Sequence, residues 1–176
     1  VRIHLIDLIQ EIAAGWSEYA ANRTVDRGHQ VYGLVERRLP QALRSLIDDP
    51  SNIKVQGSTG RGNITAAPWI ATFDTRITSS ATHGYYIVYL YSVDMQSLYL
   101  CFAFGATQFN DAFSNKKRFV YAAMEAARER LLEVVTRHIP PDLNHRIDIG
   151  DIDLGASTSN KLHKDYEHGN VFSLKY

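Results

Sequence analysis

Residues 84–104 read GYYIVYLYSVDMQSLYLCFAF, and this stretch decides the fold class. Its two runs, Gly84–Ser92 and Leu98–Phe104, are rich in β-branched and aromatic residues, the composition of central β-strands. The short polar break between them has the length of a hairpin loop. The stretch therefore predicts two antiparallel neighbours in a sheet, with Cys101 as a small buried hydrophobe.

The segments around this hairpin alternate between helical and strand periodicity. Apolar spacing predicts helices over residues 2–21, over 29–47 with a break or restart at Pro40, and over 113–138 with Ser114 as the cap. Alternating patterns predict strands at 53–56 and 69–74, and short strands at 147–150 and 151–155. These elements predict a single α+β domain over residues 1–176, with a central antiparallel or mixed sheet flanked by α-helices.

The composition is that of an ordinary soluble globular protein, with 45% apolar and 22% charged residues. The 19 Lys and Arg residues balance the 19 Asp and Glu residues, so a nucleic-acid surface would have to be a local patch. A single cysteine excludes a disulfide framework and favours a cytoplasmic protein. No stretch approaches the roughly 20 apolar residues that span a bilayer, so no membrane partner is expected.

A glycine-rich segment, Gly57-Ser-Thr-Gly-Arg-Gly-Asn, precedes the second predicted strand. We interpret it as a loop, because glycines permit positive φ or close approach to a ligand, and exposed amides can then form an anion-binding concavity. Ser58, Thr59 and Arg61 add donors suited to phosphate oxygens. The segment lacks the lysine of a Walker loop and the glycine order of a dinucleotide-binding loop. A plain glycine-rich hairpin is the alternative interpretation.

A second basic segment contains Arg23, Arg27 and His29, next to the start of the second predicted helix. Backbone amides at a helix N-terminus favour anions. A solvated loop with a surface histidine is the alternative for this segment alone. Two basic segments that both carry donors favour phosphate binding.

The sequence gives little support for catalysis. It contains no H-E-x-x-H, no paired zinc-ligand histidines and no G-x-S-x-G. Ser58, Asp74 and His83 could be assembled as a triad, but their spacing does not support one. The acidic residues Asp148, Asp151 and Asp153 could chelate a metal, but we interpret them as marking short exposed strands or turns. We therefore expect a binding domain with no catalytic residue, no cofactor and no metal.

Four segments carry a resemblance to one family: Gly57-Ser-Thr-Gly-Arg-Gly-Asn, Pro68-Trp-Ile-Ala-Thr-Phe-Asp, Gly84-Tyr-Tyr-Ile-Val-Tyr-Leu and Tyr166-Glu-His-Gly-Asn-Val-Phe-Ser-Leu-Lys-Tyr. Over most of its length the chain resembles the N-terminal recognition domains of type IV, modification-dependent restriction proteins. Within that family it looks most similar to DNA sulfur-binding domains, which read phosphorothioate linkages. The resemblance implies a non-enzymatic domain that binds modified double-stranded DNA and targets a linked or partner nuclease.

The resemblance also implies an apolar sulfur pocket. Pro68 and Ala71 match its proline and alanine, and Ala67 and Trp69 flank them. Ala67 stands where some members carry an aromatic residue, so Trp69 or a strand tyrosine would supply that wall. A weakly hydrated sulfur atom loses little by contacting C–H groups, whereas a phosphate oxygen there would be an acceptor without donors, at a cost of about 1–3 kcal/mol.

The expected DNA contacts come from both basic segments. Asn22, His29 and Gln30 would reach base edges in the major groove. Phosphates would be held by Arg23, Arg27, Ser58, Thr59, Gly60, Arg61 and Gly62. Three other functions stay open: a reader of methylated or otherwise modified cytosine, a protein-interaction module with no DNA role, and a stand-alone enzyme. The first would need an aromatic cage or a base-flipping pocket, which the strand tyrosines could supply.

Overall fold

The computed structural model describes the backbone of residues 2–176 and the side chains of residues 5–176. Its centre is a six-stranded antiparallel sheet in the order β1-β2-β3-β4-β6-β5. The strands are β1 Ile53–Arg61, β2 Asn63–Asp74, β3 Tyr85–Tyr91, β4 Leu98–Phe104, β5 Asp148–Ile149 and β6 Asn170–Lys175. The predicted hairpin is confirmed as β3 and β4, with Val88 opposite Cys101, and the α+β fold class is confirmed.

Helices and the irregular segment 151–155 cover the sheet, with Ile152 and Leu154 of that segment packed into the core. The helices are α1 Arg2–Ala21, α2 Gln30–Gly33, α3 Leu39–Arg44, α4 Ala106–Ala112, α5 Lys117–Val135, α6 Pro141–Asn144 and α7 Lys161–His168. α1 packs against β2 and α3 against β1, whereas α5 packs against β6 and α7. The α1 helix confirms the prediction for residues 2–21.

Both faces of the sheet carry a hydrophobic core. Side chains alternate along a strand, so Ile70 and Ala71 of β2 point to opposite faces, and the two belong to different clusters. The core beneath α1–α3 includes Ile12, Trp16, Val35 and Ile70. The opposite core includes Ala71, Phe73, Tyr86, Cys101 and Leu154. Cys101 is buried as predicted, and burial raises the pKa of its thiol.

The second helical segment passes through Pro40 because a π-helical turn precedes it. Leu34–Arg38 form this turn, in which the Leu39 N–H donates to the carbonyl of Leu34, five residues back. A proline inside a regular α-helix clashes with the carbonyl four residues earlier. The wider π turn accommodates the ring, and Pro40 lies in the first turn of α3. The predicted restart at Pro40 is confirmed, and the chain stays helical around it.

The glycine-rich segment is the end of a hairpin rather than a loop. β1 continues to Arg61 and β2 begins at Asn63, with Gly62 between them at φ +80°. Gly57 lies within β1, where an added Cβ would come 1.8 Å from the carbonyl oxygen of Val35. Gly57 therefore permits close packing of the π turn on the strand and not close approach of a ligand.

The secondary structure differs from the prediction in three other places. Ser114 does not cap a helix, because it and Asn115 adopt positive φ and α5 begins at Lys117. Residues 151–155 form no strand; the Leu154 N–H donates instead to Glu167 of α7, at 2.9 Å. α4 and α7 were not predicted, because seven and eight residues are too few to show a clear helical period.

Replacing Gly57 should test the close contact between the π turn and β1. We expect Gly57→Ala to lower the free energy of unfolding by about 1–3 kcal/mol, because the methyl group forces the two backbones apart. Gly33→Ala is the matched control: this helical glycine has open space at its Cβ position, so the change should be neutral or stabilise by up to about 1 kcal/mol. Urea denaturation measures both, and equal stability of the two variants would contradict the contact.

Candidate nucleic-acid interface

The two basic segments predicted from the sequence lie side by side. Thr24 forms an isolated β-bridge with Asn63. The Val25 N–H donates to the Gly62 carbonyl at 2.8 Å, and the Ile64 N–H donates to the Arg23 carbonyl at 2.9 Å. The loop after α1 is thereby attached to the tip of the β1–β2 hairpin. We call the exposed side chains of residues 22–30 and 58–63 the tip surface.

Three arginines make the tip surface positive. Arg23, Arg27 and Arg61 are exposed, and no ion pair to them occurs among the described side chains. Arg37 adds a fourth cation, because its Nη2 donates to the Arg27 carbonyl at 3.5 Å and its guanidinium lies 5.7 Å from the Tyr32 ring. Sequence reasoning missed Arg37, since its proximity to Arg27 depends on how the helical segment packs.

The expected polar contacts differ in their accessibility. Asn22 and Gln30 are exposed, as is Gly62, while His29, Ser58 and Gly60 are half-buried. His29 caps α2, because its Nδ1 accepts the Val31 N–H at 3.2 Å. This bond leaves Nε2 to carry the proton of the neutral ring, so His29 can donate through Nε2.

Thr59, expected to hold a phosphate, is buried inside the end of the hairpin. It is fully buried, and both its N–H (2.9 Å) and its hydroxyl (3.3 Å) donate to Oε1 of Glu36. The Tyr19 hydroxyl donates to the same Thr59 oxygen at 3.3 Å. The Gly60 N–H is also engaged, because it donates to the Ser58 Oγ at 3.2 Å. The Thr59 and Gly60 amides are therefore not free, so the predicted concavity of free amides is not present at these two residues.

The predicted sulfur pocket is closed in this structure. Ala67, Pro68 and Ala71 are buried, and Trp69 is half-buried. Ala67 packs into the core beneath α1–α3 and Ala71 into the opposite core. The physical reason is that β2 lies inside the sheet with a core on each face. The expectation that Pro68 and Ala71 form an accessible wall is therefore not met in this structure.

A polar cleft of about 350 Å³ opens beside these residues. We call it the Trp69 cleft; its lining includes Trp69, Tyr166, Lys54, Ser80, Asn110 and Asp165. Burial raises the pKa of Tyr166 to about 12, so this phenol is neutral at pH 7. The cleft combines an aromatic wall with hydroxyl, amide and ammonium groups, an arrangement suited to a planar ligand with hydrogen-bonding edges.

The outer rim of the Trp69 cleft is the hydroxyl-rich loop between β2 and β3. The Ser80 and Thr82 hydroxyls lie 2.7 Å apart, and Lys54 Nζ donates to the Ser79 carbonyl at 2.8 Å. Sequence reasoning did not select this loop, although its run Thr78-Ser-Ser-Ala-Thr could have indicated a donor-rich rim. Asn110 and Tyr166 could not be found that way, because they come from α4 and α7.

The tip surface and the Trp69 cleft share a wall. A second hollow of about 350 Å³ lies on the other side of the hairpin tip, lined by residues that include Arg27, Tyr32 and Glu36. Four residues line both hollows: Gln56, Ser58, Gly60 and Arg61. A ligand held at the tip by Arg61 is therefore adjacent to the cleft.

Comparison with known proteins adds the family. A sequence model of the MrcB-like N-terminal domain matches residues 11–176. The chain belongs to this family. The family comprises the N-terminal DNA-recognition domains of type IV restriction proteins of the McrB type. The positive tip surface therefore lies on a recognition domain for modified DNA. Searches of curated proteins and of solved structures found no match.

Two further observations concern the described part of the chain. Between residues 2 and 176, no helix has both the length and the apolar character that crossing a membrane requires. Among the side chains of residues 5–176, no group of three or more His, Cys, Asp or Glu is arranged to hold a metal ion. Asp151, one of these acidic residues, instead forms an ion pair with Arg128, and its other carboxylate oxygen lies 2.6 Å from His168 Nδ1.

Replacing Glu36 should test how the tip is held. We expect Glu36→Ala to lower the free energy of unfolding by about 1–3 kcal/mol, because the buried Thr59 N–H loses its acceptor. Glu36→Gln keeps an oxygen at that position and should lose less. Urea denaturation gives both values. Identical losses for the two variants would show that the hydrogen bond to Thr59 is not what stabilises the tip.

Proposed function

We propose that this domain recognises a modified cytosine in double-stranded DNA. The tip surface binds the backbone phosphates, and the Trp69 cleft receives the modified base. The observation that carries the proposal is the shared wall: Arg61 lines both the tip hollow and the cleft. A linked or partner nuclease would then act on the DNA that the domain has found.

Backbone binding follows from the local excess of positive charge. The whole chain is neutral, with 19 basic and 19 acidic residues, yet Arg23, Arg27, Arg37 and Arg61 gather at one edge. Each guanidinium can contact one phosphate and release condensed counterions. Asn22, Gln30 and the His29 Nε2 add neutral donors at the same edge, suited to base edges or phosphate oxygens.

A base enters the cleft only if it leaves the duplex stack. Flipping costs a few kcal/mol and is offset by stacking on aromatic side chains and by hydrogen bonds to the base edge. Trp69 supplies the aromatic surface, and Ser80, Asn110 and Tyr166 supply hydrogen-bonding groups. These groups support the proposal, because a reader of a modified cytosine requires an aromatic surface and hydrogen-bonding groups in one pocket.

Phosphorothioate DNA is the second candidate. The observation that favours it is an irregularity in β2: Trp69 pairs with Ser58 and Ile64 with Gly60, so residues 65–68 have no partner on β1. Pro68 lies in this bulge, close in sequence to the positive tip. Because Pro68 and Ala71 are buried, reading a sulfur atom requires the bulge to open on binding, which places this candidate second.

Removing Arg61 should weaken binding to every duplex. We expect Arg61→Ala to lower affinity for marked and unmarked duplexes alike and to reduce the slope of log K against log salt by about one. Arg137→Ala removes the same charge from the turn after α5 and should leave both quantities unchanged. Fluorescence anisotropy over a salt series measures them. A loss confined to marked DNA would contradict the phosphate role.

Matched duplexes carrying 5-methylcytosine, a phosphorothioate or no modification should separate the two candidates. We expect the methylated duplex to bind most tightly, and Trp69→Ala to remove this preference while Trp69→Phe keeps most of it, because an aromatic face remains for stacking. Mobility shift measures all nine combinations. A preference for the phosphorothioate duplex that survives Trp69→Ala would establish the second candidate instead. Equal affinity for all three duplexes would exclude both.

A further inference from the structure

The sheet surface on the α1 side carries a continuous row of apolar side chains. Ile87 of β3 lies opposite Phe102 of β4. Phe102 lies opposite Phe172 of β6, which in turn lies opposite Ile149 of β5. Residues directly opposite one another on antiparallel strands share a face, so the row crosses four adjacent strands. The ring centroids of Phe102 and Phe172 are 5.4 Å apart.

Four more apolar residues extend this row on the same face. Each stands two positions along a strand from a member of the row, which returns the side chain to the same side: Tyr85, Tyr89, Leu100 and Leu174. The Tyr85 and Phe102 rings have their centroids 5.5 Å apart, and Leu100 lies opposite both Tyr89 and Leu174. We call the eight residues the open face. None of them carries a charge.

The described helices leave the open face uncovered. α1 packs against β2 and α3 against β1, toward the other edge of the sheet. Tyr85, Ile87 and Ile149 keep 36–58% of their surface exposed, and the other five members are half-buried. Since a large apolar side chain can bury roughly 200 Å², the eight leave about 500 Å² of surface open on one copy. A contiguous apolar patch of this size marks an interaction surface.

The open face lies away from the two surfaces that we propose for DNA. The tip surface is built on the β1–β2 hairpin, and β1 forms the opposite edge of the sheet from β5. Gln56 lines the Trp69 cleft, whereas its neighbour Val55 lies opposite Thr72, which lies opposite Ile87. Neighbouring residues of a strand point to opposite faces, so the cleft and the open face are on opposite sides of the sheet. A partner on the open face leaves both DNA surfaces accessible.

We propose that the open face binds the open face of a second copy of this chain, forming a symmetric dimer by packing of sheet on sheet. Two copies would together bury about 1,000 Å², the total at which a specific interface begins. A symmetric interface places one patch against itself, so charges on the patch would meet like charges, and the open face has none. Homodimer interfaces are also more apolar than interfaces between transient partners. A second copy therefore fits the area, the composition and the lack of charge.

Light scattering coupled to size-exclusion chromatography, over a series of chain concentrations without DNA, tests this dimer. We expect the mass to approach that of two chains as the concentration rises. The dissociation constant should lie in the micromolar range, the weak end for specific interfaces. Ile87→Lys should raise this constant by at least about 100-fold, because the ammonium would lose its hydration against apolar side chains.

Ile77→Lys is the matched control for this change. Ile77 lies in the loop between β2 and β3, outside the open face, and has the same 48% exposure as Ile87. The variant adds the same charge and should keep the wild-type dissociation constant. Both isoleucines are about half exposed, so neither change should unfold the chain. Urea denaturation below the dissociation constant measures the stability of the separate chains.

A second measurement needs no substitution in the chain. With isoleucine labelled at its δ1 methyl group, NMR spectra recorded at rising concentration follow each isoleucine separately. The resonances of Ile87 and Ile149 should shift, because both methyl-bearing side chains lie on the open face. Those of Ile77 in the loop and of Ile12 in the core should stay in place.

The outcomes decide between this dimer and other arrangements. A dimer that is lost in Ile87→Lys and kept in Ile77→Lys, with methyl shifts at Ile87 and Ile149 but not at Ile77, supports the inference. A chain that keeps the mass of one copy at the highest concentration overturns it and leaves the open face to a different partner. A dimer that survives Ile87→Lys, or is lost equally in both variants, overturns it as well. None of these results changes the proposed function in DNA recognition.

Discussion

The direct contact between the π-helical turn and β1 is the constraint on which the rest of the structure depends. The Val35 carbonyl lies where a Cβ on Gly57 would stand, so helix and strand backbones meet with no side chain between them. Glu36, one residue beyond Val35, reaches Thr59, two residues beyond Gly57, and attaches the bulged end of the hairpin to the helix. The same end of the hairpin pairs with the loop after α1, so the two contacts hold it from both sides.

This contact explains how a neutral chain can present a binding surface for a polyanion. Two acids lie at the tip: Glu36 is occupied by the internal donors of Thr59, and Asp26 accepts the Gly28 N–H. The surrounding arginines remain without ion pairs among the described side chains. The wall that holds them is also a wall of the Trp69 cleft. In the proposed function, the surface that binds the DNA backbone therefore adjoins the cleft that receives the base.

Local sequence predicted the elements that local forces determine. α1 and the β3–β4 hairpin followed from periodicity and composition, and the two basic segments were found because their charges are close in sequence. The burial of Pro68 and Ala71 could not be predicted, because it depends on whether both faces of the sheet are covered. The burial of Thr59 could not be predicted for a related reason, because its hydrogen-bond partner Glu36 is 23 positions away in the sequence. The cleft could not be predicted, because Asn110 and Tyr166 join it only through tertiary packing.

The most direct test of the central claim uses the two tryptophans as reporters. The indole of Trp16 is buried and donates to the Ala66 carbonyl, whereas Trp69 lines the cleft. In a chain labelled with 5-fluorotryptophan, a duplex carrying one 5-methylcytosine should shift the fluorine resonance of Trp69 and leave that of Trp16 in place. The unmodified duplex should shift the Trp69 resonance less and should also leave the Trp16 resonance in place. A Trp69 resonance that stays unchanged when the methylated duplex is saturating would contradict the account.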